Sequence, residues 1–259
     1  MLYHTSMKFH ILTLFPDAFS GPLQHSMLGR AQEHGLISVQ ITDIRDHTHN
    51  AHNTADDYQF GGGFGMVMKP EPIFEAVEDT LSRVPKNERG AVPIILMSPQ
   101  GETIDQQMVE DLSHTDELVL ICGHYAGVDQ RVRQHLITRE VSIGDYVLTG
   151  GELAAMVLID SVSRFIDGVV GSQENVLEDS ITSGLLQHPL YTRPADFREF
   201  SVPEILRSGN HGEIERWRRH QSLRATLEKR PDLLAKADLT SNDLAFLQSL
   251  GWASPNSQD

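Results

Sequence analysis

The chain has 259 residues, 39% of them apolar, and a formal net charge of −15, which is enough for one large domain, or one plus a smaller one. This composition excludes a disordered chain, and the negative balance excludes indiscriminate binding to nucleic-acid phosphates. The longest apolar runs, residues 92–97 and 118–122, fall far short of the roughly 20 residues that a membrane-spanning helix needs.

Residues 1–6 read as a poorly ordered extension without the pattern of a signal peptide. The first patterned run, residues 7–15, is a buried strand closed by Pro16 and Asp17. A helix to about Glu33 follows, with Gly35 placed to end it, and residues 37–44 alternate as a second strand. The polar segment 45–59 carries His47, His49 and His52, but their spacing matches no zinc pattern and no metal is assigned. A glycine loop, Gly61, Gly62, Gly63 and Gly65, comes next. It follows a polar stretch rather than a strand and lacks a complete G-x-G-x-x-G, so it is a weak dinucleotide signal.

Beyond Pro70, residues 73–81 read as a helix and residues 92–97 as a central strand ending at Ser98. Thr103 to Gln106 has the form of a capping box opening a helix to Leu112. Residues 118–122 form another strand, within which Cys122, the one cysteine, reads as a small buried apolar residue. With no disulfide available, a reducing cytoplasm is the expected compartment. Residues 142–156 join a strand end (Ile143, Tyr146, Val147, Leu148) to Thr149, Gly150, Gly151 and an apolar helix running to Phe165. Paired glycines at a helix start admit close approach of a ligand to the backbone, and the first helical N–H groups offer donors, although an ordinary strand-to-helix turn has the same form. Strands alternating with helices predict an α/β fold on a mainly parallel sheet. Its small-residue strand ends at Ser98, Gly123 and Gly144 lie where such sheets hold ligands.

The helix from Glu152 is apolar nearly all round and is expected to be buried, in part at a subunit interface. Residues 168–185 read as an interdomain linker between a domain at 1–167 and a helical one at 186–259, with helices at 212–229 and 243–250. Between residues 186 and 230 nine basic residues face six acids, so this stretch is +3 and the remainder −18. An acidic body with a basic appendage can hold an anionic polymer at one face.

Several of these stretches together resemble one family, the bacterial tRNA (guanine-N1)-methyltransferases of the trefoil-knotted SPOUT class, which modify the guanine 3′ of the anticodon. They are Ile11-Leu-Thr-Leu-Phe-Pro16, Asp56-Asp57 with Gly61-Gly-Gly63, Ser98-Pro-Gln-Gly101, Cys122-Gly-His-Tyr125, Ser142-Ile-Gly-Asp-Tyr-Val-Leu148, Gly150-Gly-Glu-Leu153, Ile159-Asp-Ser-Val-Ser-Arg-Phe165, Tyr191-Thr-Arg-Pro194, and Ser208-Gly-Asn-His211 with Trp217-Arg218. They run collinearly from about Met7 to Leu250. The resemblance implies a deep knot, a homodimer with active sites shared between subunits, tRNA as partner and S-adenosylmethionine as cofactor. It assigns the cofactor to Met97, Ser98 and Pro99, to Gly123 and Tyr125, and to Ser142, Ile143, Gly144, Tyr146, Leu148, Gly150, Gly151 and Ala154. Substrate contacts fall to Gly61, Gly62, Gly63, Arg193, Ser208, Asn210, His211 and Arg218. Asp179 aligns with the family's general base and Arg164 with the cation that stabilises guanine O6.

The residue types suit the chemistry, because guanine N1 must lose a proton before it attacks and charge then builds on O6. Where the family usually has a glutamate linked to magnesium dependence, this chain has Ala126, which puts magnesium participation in doubt. Gln59, Phe60 and Phe64 stand where Pro, Tyr and Pro are common. Two other readings stay open: a knotted methyltransferase acting on another RNA position or a ribose 2′-hydroxyl, and a non-catalytic RNA-binding module.

Overall fold

The computed structural model describes residues 6–171 and 179–253; the first five residues, residues 172–178 of the expected linker, and residues 254–259 lie outside the described residues. The chain divides into two compact units, Met1–Gly171 and Ser172–Asp259.

The first unit is built on five strands: β1 (Met7–Thr13), β2 (Ile37–Asp43), β5 (Ile94–Thr103), β6 (Glu117–Cys122) and β7 (Arg139–Ser142). They pair in the order β2-β1-β6-β5-β7, every pair parallel. The central runs of β6 and the start of β5 are continuously apolar because helices cover both faces, whereas β2 alternates;. Alternate residues feed two cores: Phe9, Ile11, Leu118 and Leu120 pack with Leu158, Ile159 and Val162 of α5 (Glu152–Ser163). Leu12, Val119 and Ile121 pack with Ile73, Ala76 and Val77 of α2 (Pro70–Ser82). Two further helices complete the layers, α1 (Ser26–Glu33) and α3 (Gln106–Ser113). The expected long first helix begins only at Ser26, since Pro16 and Pro22 each open a short 3-10 turn before it.

The segment expected to be loop at 45–59 contains a strand, β3 (Asp56–Tyr58), which forms a hairpin with β4 (Met66–Met68) around the glycines. The glycine loop therefore does follow a strand, but a strand rather than a helix comes after it, so no dinucleotide turn results. The central strand does not end at Ser98. β5 continues to Thr103, with Met97 and Glu102 both opposite Val141 across a register shift, so residues 98–101 bulge out of the ladder. A Cβ at Gly101 would stand 2.4 Å from the Val141 nitrogen, so glycine is what lets the bulge close against β7. The Asp105 carboxylate caps α3 by accepting from Met108 N at 2.9 Å, in place of the expected Thr103. A short helix, α4 (Gln130–His135), precedes β7.

Among the described residues the second unit holds a small hairpin, β8 (Asp196–Phe197) with β9 (Phe200–Ser201), and three helices, α6 (His211–Lys229), α7 (Pro231–Leu234) and α8 (Ser241–Ser249). Leu185, Leu223, Leu234 and Leu247 form its core. Asp243 is buried and doubly held: it closes a capping box with Thr240 and receives two bonds from Arg219, at 3.1 and 2.9 Å. Burial pushes this carboxyl up, and the Arg219 and Thr240 hydrogen bonds outweigh it, leaving the net direction down;.

Candidate active site

A parallel sheet places every strand's C-terminal end on one side, and there the segments after β5, β6 and β7 enclose a cavity of about 150 Å³. Met97, Ser98 and Pro99 reach it from the β5 bulge, and Gly123 and Tyr125 from the turn after β6. Ser142, Ile143, Tyr146, Leu148, Gly150 and Gly151 come from the loop after β7, and Ala154 from α5. Of the residues assigned to the cofactor, Gly144 alone does not line the cavity. Its φ of +145° and the 2.7 Å between a Cβ there and the Tyr146 ring show its part: it lets that ring fold back over the loop. The Ser142 hydroxyl fixes the same turn, donating to Gly144 O at 3.0 Å and accepting from Gly144 N at 3.2 Å. The expected strand therefore stops at Ser142, and residues 143–151 are loop.

That loop is seated on β6. Gly151 N donates to Gly123 O at 2.8 Å, and a Cβ on Gly151 would meet Cys122 Cα at 2.8 Å and Gly123 N at 3.0 Å. Only glycine allows α5 to start so close to the strand tip. Tyr125, at φ +59°, is a non-glycine residue in the left-handed region beside the cavity, a sparsely populated conformation typical of ligand-facing turns. Apolar walls come from Leu96, Val128, Ile143 and Leu148. Among the described residues Arg133 is the one guanidinium or ammonium in the lining, and it is committed to Gln100 and Glu140.

Sequence reasoning missed the polar pair beneath this loop. Thr13 Oγ1, fully buried at the end of β1, donates to Glu152 Oε1 at 2.7 Å and accepts from Phe15 N at 2.9 Å. A Cβ on Gly150 would fall 2.2 Å from Glu152 Oε2 and 2.5 Å from His124 Nδ1, so the two side chains converge under that glycine. Among the described residues His124 Nδ1 is buried without a hydrogen-bond partner, and its ring packs between Phe15 and Tyr125. A lone threonine in an apolar strand and an acid opening an apolar helix were the available signals. Burial, helped by the nearby Glu152 charge, pushes the Cys122 thiol well up, which suits an inert core residue.

Arg164 is half-buried at the C-cap of α5 in the first unit, and Asp179 is half-buried at the described start of the second. Gly61, Gly62 and Gly63 form the exposed β3–β4 turn, all at positive φ. Asn210 caps α6 by accepting from Glu213 N, and Ser208 Oγ accepts from Asn210 N at 3.1 Å. His211 opens that helix, Arg218 pairs with Glu215, and Arg193 is exposed before the cis Pro194. Among the described residues no group of three or more His, Cys, Asp or Glu is placed to hold a metal ion, and no helix is long and apolar enough to cross a membrane.

Residues 7–236 match the family described as tRNA (Guanine-1)-methyltransferase TrmD. A tRNA (guanine-N(1)-)-methyltransferase of Moorella thermoacetica is 54% identical over 244 residues, covering 94% of this chain and 96% of the relative. Those of Dehalococcoides mccartyi strain CBDB1 and Bacillus cereus strain G9842 are each 50% identical over 94% of this chain, covering 97% and 98% of the relative. Matched over nearly its whole length by that family and by these relatives, the chain belongs to the tRNA (guanine-N1)-methyltransferase family and is a tRNA methyltransferase.

Proposed function

We propose that the cavity at the ends of β5, β6 and β7 holds S-adenosylmethionine and that the enzyme methylates N1 of the guanine 3′ of the anticodon. The observation that carries this reading is the cavity itself, whose lining is backbone, small residues and apolar walls with its one guanidinium already paired. A neutral adenine ring is read by backbone N–H and C=O groups at close range, so the glycine-to-β6 contact at Gly151 fits the group;. When bound, the cofactor supplies an electrophilic methyl group. The protein's part is to hold guanine in line, to take the N1 proton with Asp179, and to offset charge at O6 with Arg164.

The same reading includes the family's trefoil knot, a homodimer in which each active site draws on both copies, and a cytoplasmic location. A domain boundary at 168–185 separates the donor domain from the helical tRNA-binding domain, where Arg193, Ser208, Asn210, His211 and Arg218 meet the anticodon stem. Gly61, Gly62 and Gly63 approach the target base. Leu153 and Val157, apolar and exposed on the same helix as the exposed Asp160, support a second copy against that face of α5;. With Ala126 at the cavity rim, no magnesium ligand is assigned there.

The test is incubation with labelled methyl donor and unmodified tRNA, then with tRNA substituted at that guanine. Label in the first and none in the second is expected; label that survives the substitution places the methyl group elsewhere. Asp179→Asn is expected to lower turnover by at least about a hundredfold while donor affinity stays within twofold. Equal turnover removes Asp179 from the role.

A further inference from the structure

The β3–β4 hairpin carries three aromatic rings that nothing among the described residues of the first unit covers. Tyr58 is 81% exposed, and Phe60 and Phe64, on either side of Gly61, Gly62 and Gly63, are fully exposed. Between Tyr58 and Val67 the sequence contains no charged residue, so the tip offers a partner faces rather than ion pairs. The hairpin is also anchored to the cavity. Ala126 N donates to Met66 O, Met68 N to Gly127 O and Asp129 N to Met68 O, each at 3.0 Å, and a Cβ on Gly65 would lie 3.4 Å from Ala126 Cβ. Ala126 and Gly127 line the cavity, so the hairpin that carries the rings is fastened to its wall.

A base methylated at a ring nitrogen has to leave its stack to reach such a cavity, and its neighbours lose a stacking partner when it does. Unstacked bases settle on aromatic side chains whatever their identity, because each has a π face. We propose that Phe60 and Phe64 form a stacking clamp for the tRNA bases flanking the methylated guanine, with the three glycines between them allowing the backbone to follow the nucleotide. This rests on the reading of the cavity as the donor site and of the guanine as target.

The experiment uses the full-length enzyme with Phe60→Leu, Phe64→Leu and the double variant, which keep apolar bulk and remove the π face. Donor binding is measured by calorimetry, and tRNA binding with an anticodon stem-loop carrying 2-aminopurine next to the target guanine. Each ring is expected to weaken stem-loop binding and raise the KM for tRNA by about 5- to 150-fold. The fluorescence quench should be lost in the double variant, with donor affinity and the salt dependence of binding unchanged because no charge has moved. A KM within twofold of wild type, an unaltered quench, or a double variant whose defect is a change in oligomeric state overturns the clamp. Absence of donor binding in the wild type instead overturns the reading of the cavity.

Discussion

Replacing Thr13 by valine tests the buried pair that underlies the glycine loop. Valine keeps the shape and removes one hydroxyl that makes two bonds: donation to the Glu152 carboxylate at 2.7 Å and acceptance from Phe15 N at 2.9 Å. Thr13 is fully buried and Glu152 only 8% exposed, so solvent cannot replace the lost partner. A hydrogen bond to a charged group contributes about 1.5–3 kcal/mol and a neutral one about 0.5–1.5. Allowing for their shared origin, the loss is about 2–4 kcal/mol. At roughly 2–4 °C per kcal/mol for a unit of this size, melting should fall by about 5–15 °C. Both tryptophans, Trp217 and Trp252, belong to the second unit, so fluorescence would follow the wrong half of the chain. Far-UV circular dichroism, with hydrogen exchange of the β1 and β6 amides, reports the right one. Thr13→Ser, which keeps the hydroxyl, should recover most of the loss. A melting temperature within about 1 °C of wild type for Thr13→Val, or no recovery by serine, would refute the view that this hydroxyl anchors the start of α5.

Gly151→Ala forces a Cβ against Cys122 Cα and Gly123 N, backbone atoms that cannot rotate aside; a cost of about 1–3 kcal/mol and a weaker donor affinity are expected by thermal melting and calorimetry. Gly171→Ala, which meets nothing within 4 Å, should stay within about 0.5 kcal/mol and serves as the control. At the opposite end of the sheet Glu117 lies 2.6 Å from Lys8 Nζ and 2.8 Å from His10 Nε2. Burial raises its pKa, but the Lys8 and His10 hydrogen bonds and charges prevail and hold it below 4.5. A depressed carboxyl stabilises the fold above its unfolded value, and that stability is lost as pH falls through the folded one. Melting followed from pH 6 downwards should therefore decline below about 4.5 more steeply in wild type than in Glu117→Gln, and parallel curves would remove Glu117 from the acid limb.

What the sequence disclosed was whatever a single run of residues encodes. The strand cores were legible because a parallel sheet covered on both faces leaves unbroken apolar runs such as Leu118 to Cys122;. The small residues at strand ends were legible because close backbone approach demands them. The extension of β5 past Ser98 was hidden, since Pro99 and Gly101 read as a stop unless one knows that β7 lies 2.4 Å from where a Cβ would be. The β3–β4 hairpin was hidden too: strands of three residues, one of them Asp-Asp-Tyr, carry too little periodicity to register;. Least visible was the meeting of Thr13 with His124 and Glu152, which follow it by more than a hundred residues and become its neighbours only through the strand order.

Basic residues outnumber acids in one stretch of the second unit, although that unit as a whole is acidic. Outside residues 186–230 the chain carries −18, while that stretch is +3. A polyanion is repelled by the first field and drawn to the second, so on the proposed reading the tRNA docks through the helical unit, and base contacts near the cavity must come from groups without charge. On the same reading the acidic charge that tRNA avoids favours a cationic sulfonium donor. Glycine backbone and the exposed aromatic rings of the hairpin fastened to the cavity wall are the groups that remain when acids would repel phosphate and added bases would compete for the paired carboxylate of Glu140. The neutrality of the stretch from Tyr58 to Val67, flanked by Asp57 on one side and Lys69 beyond the other, is therefore what this electrostatic arrangement calls for.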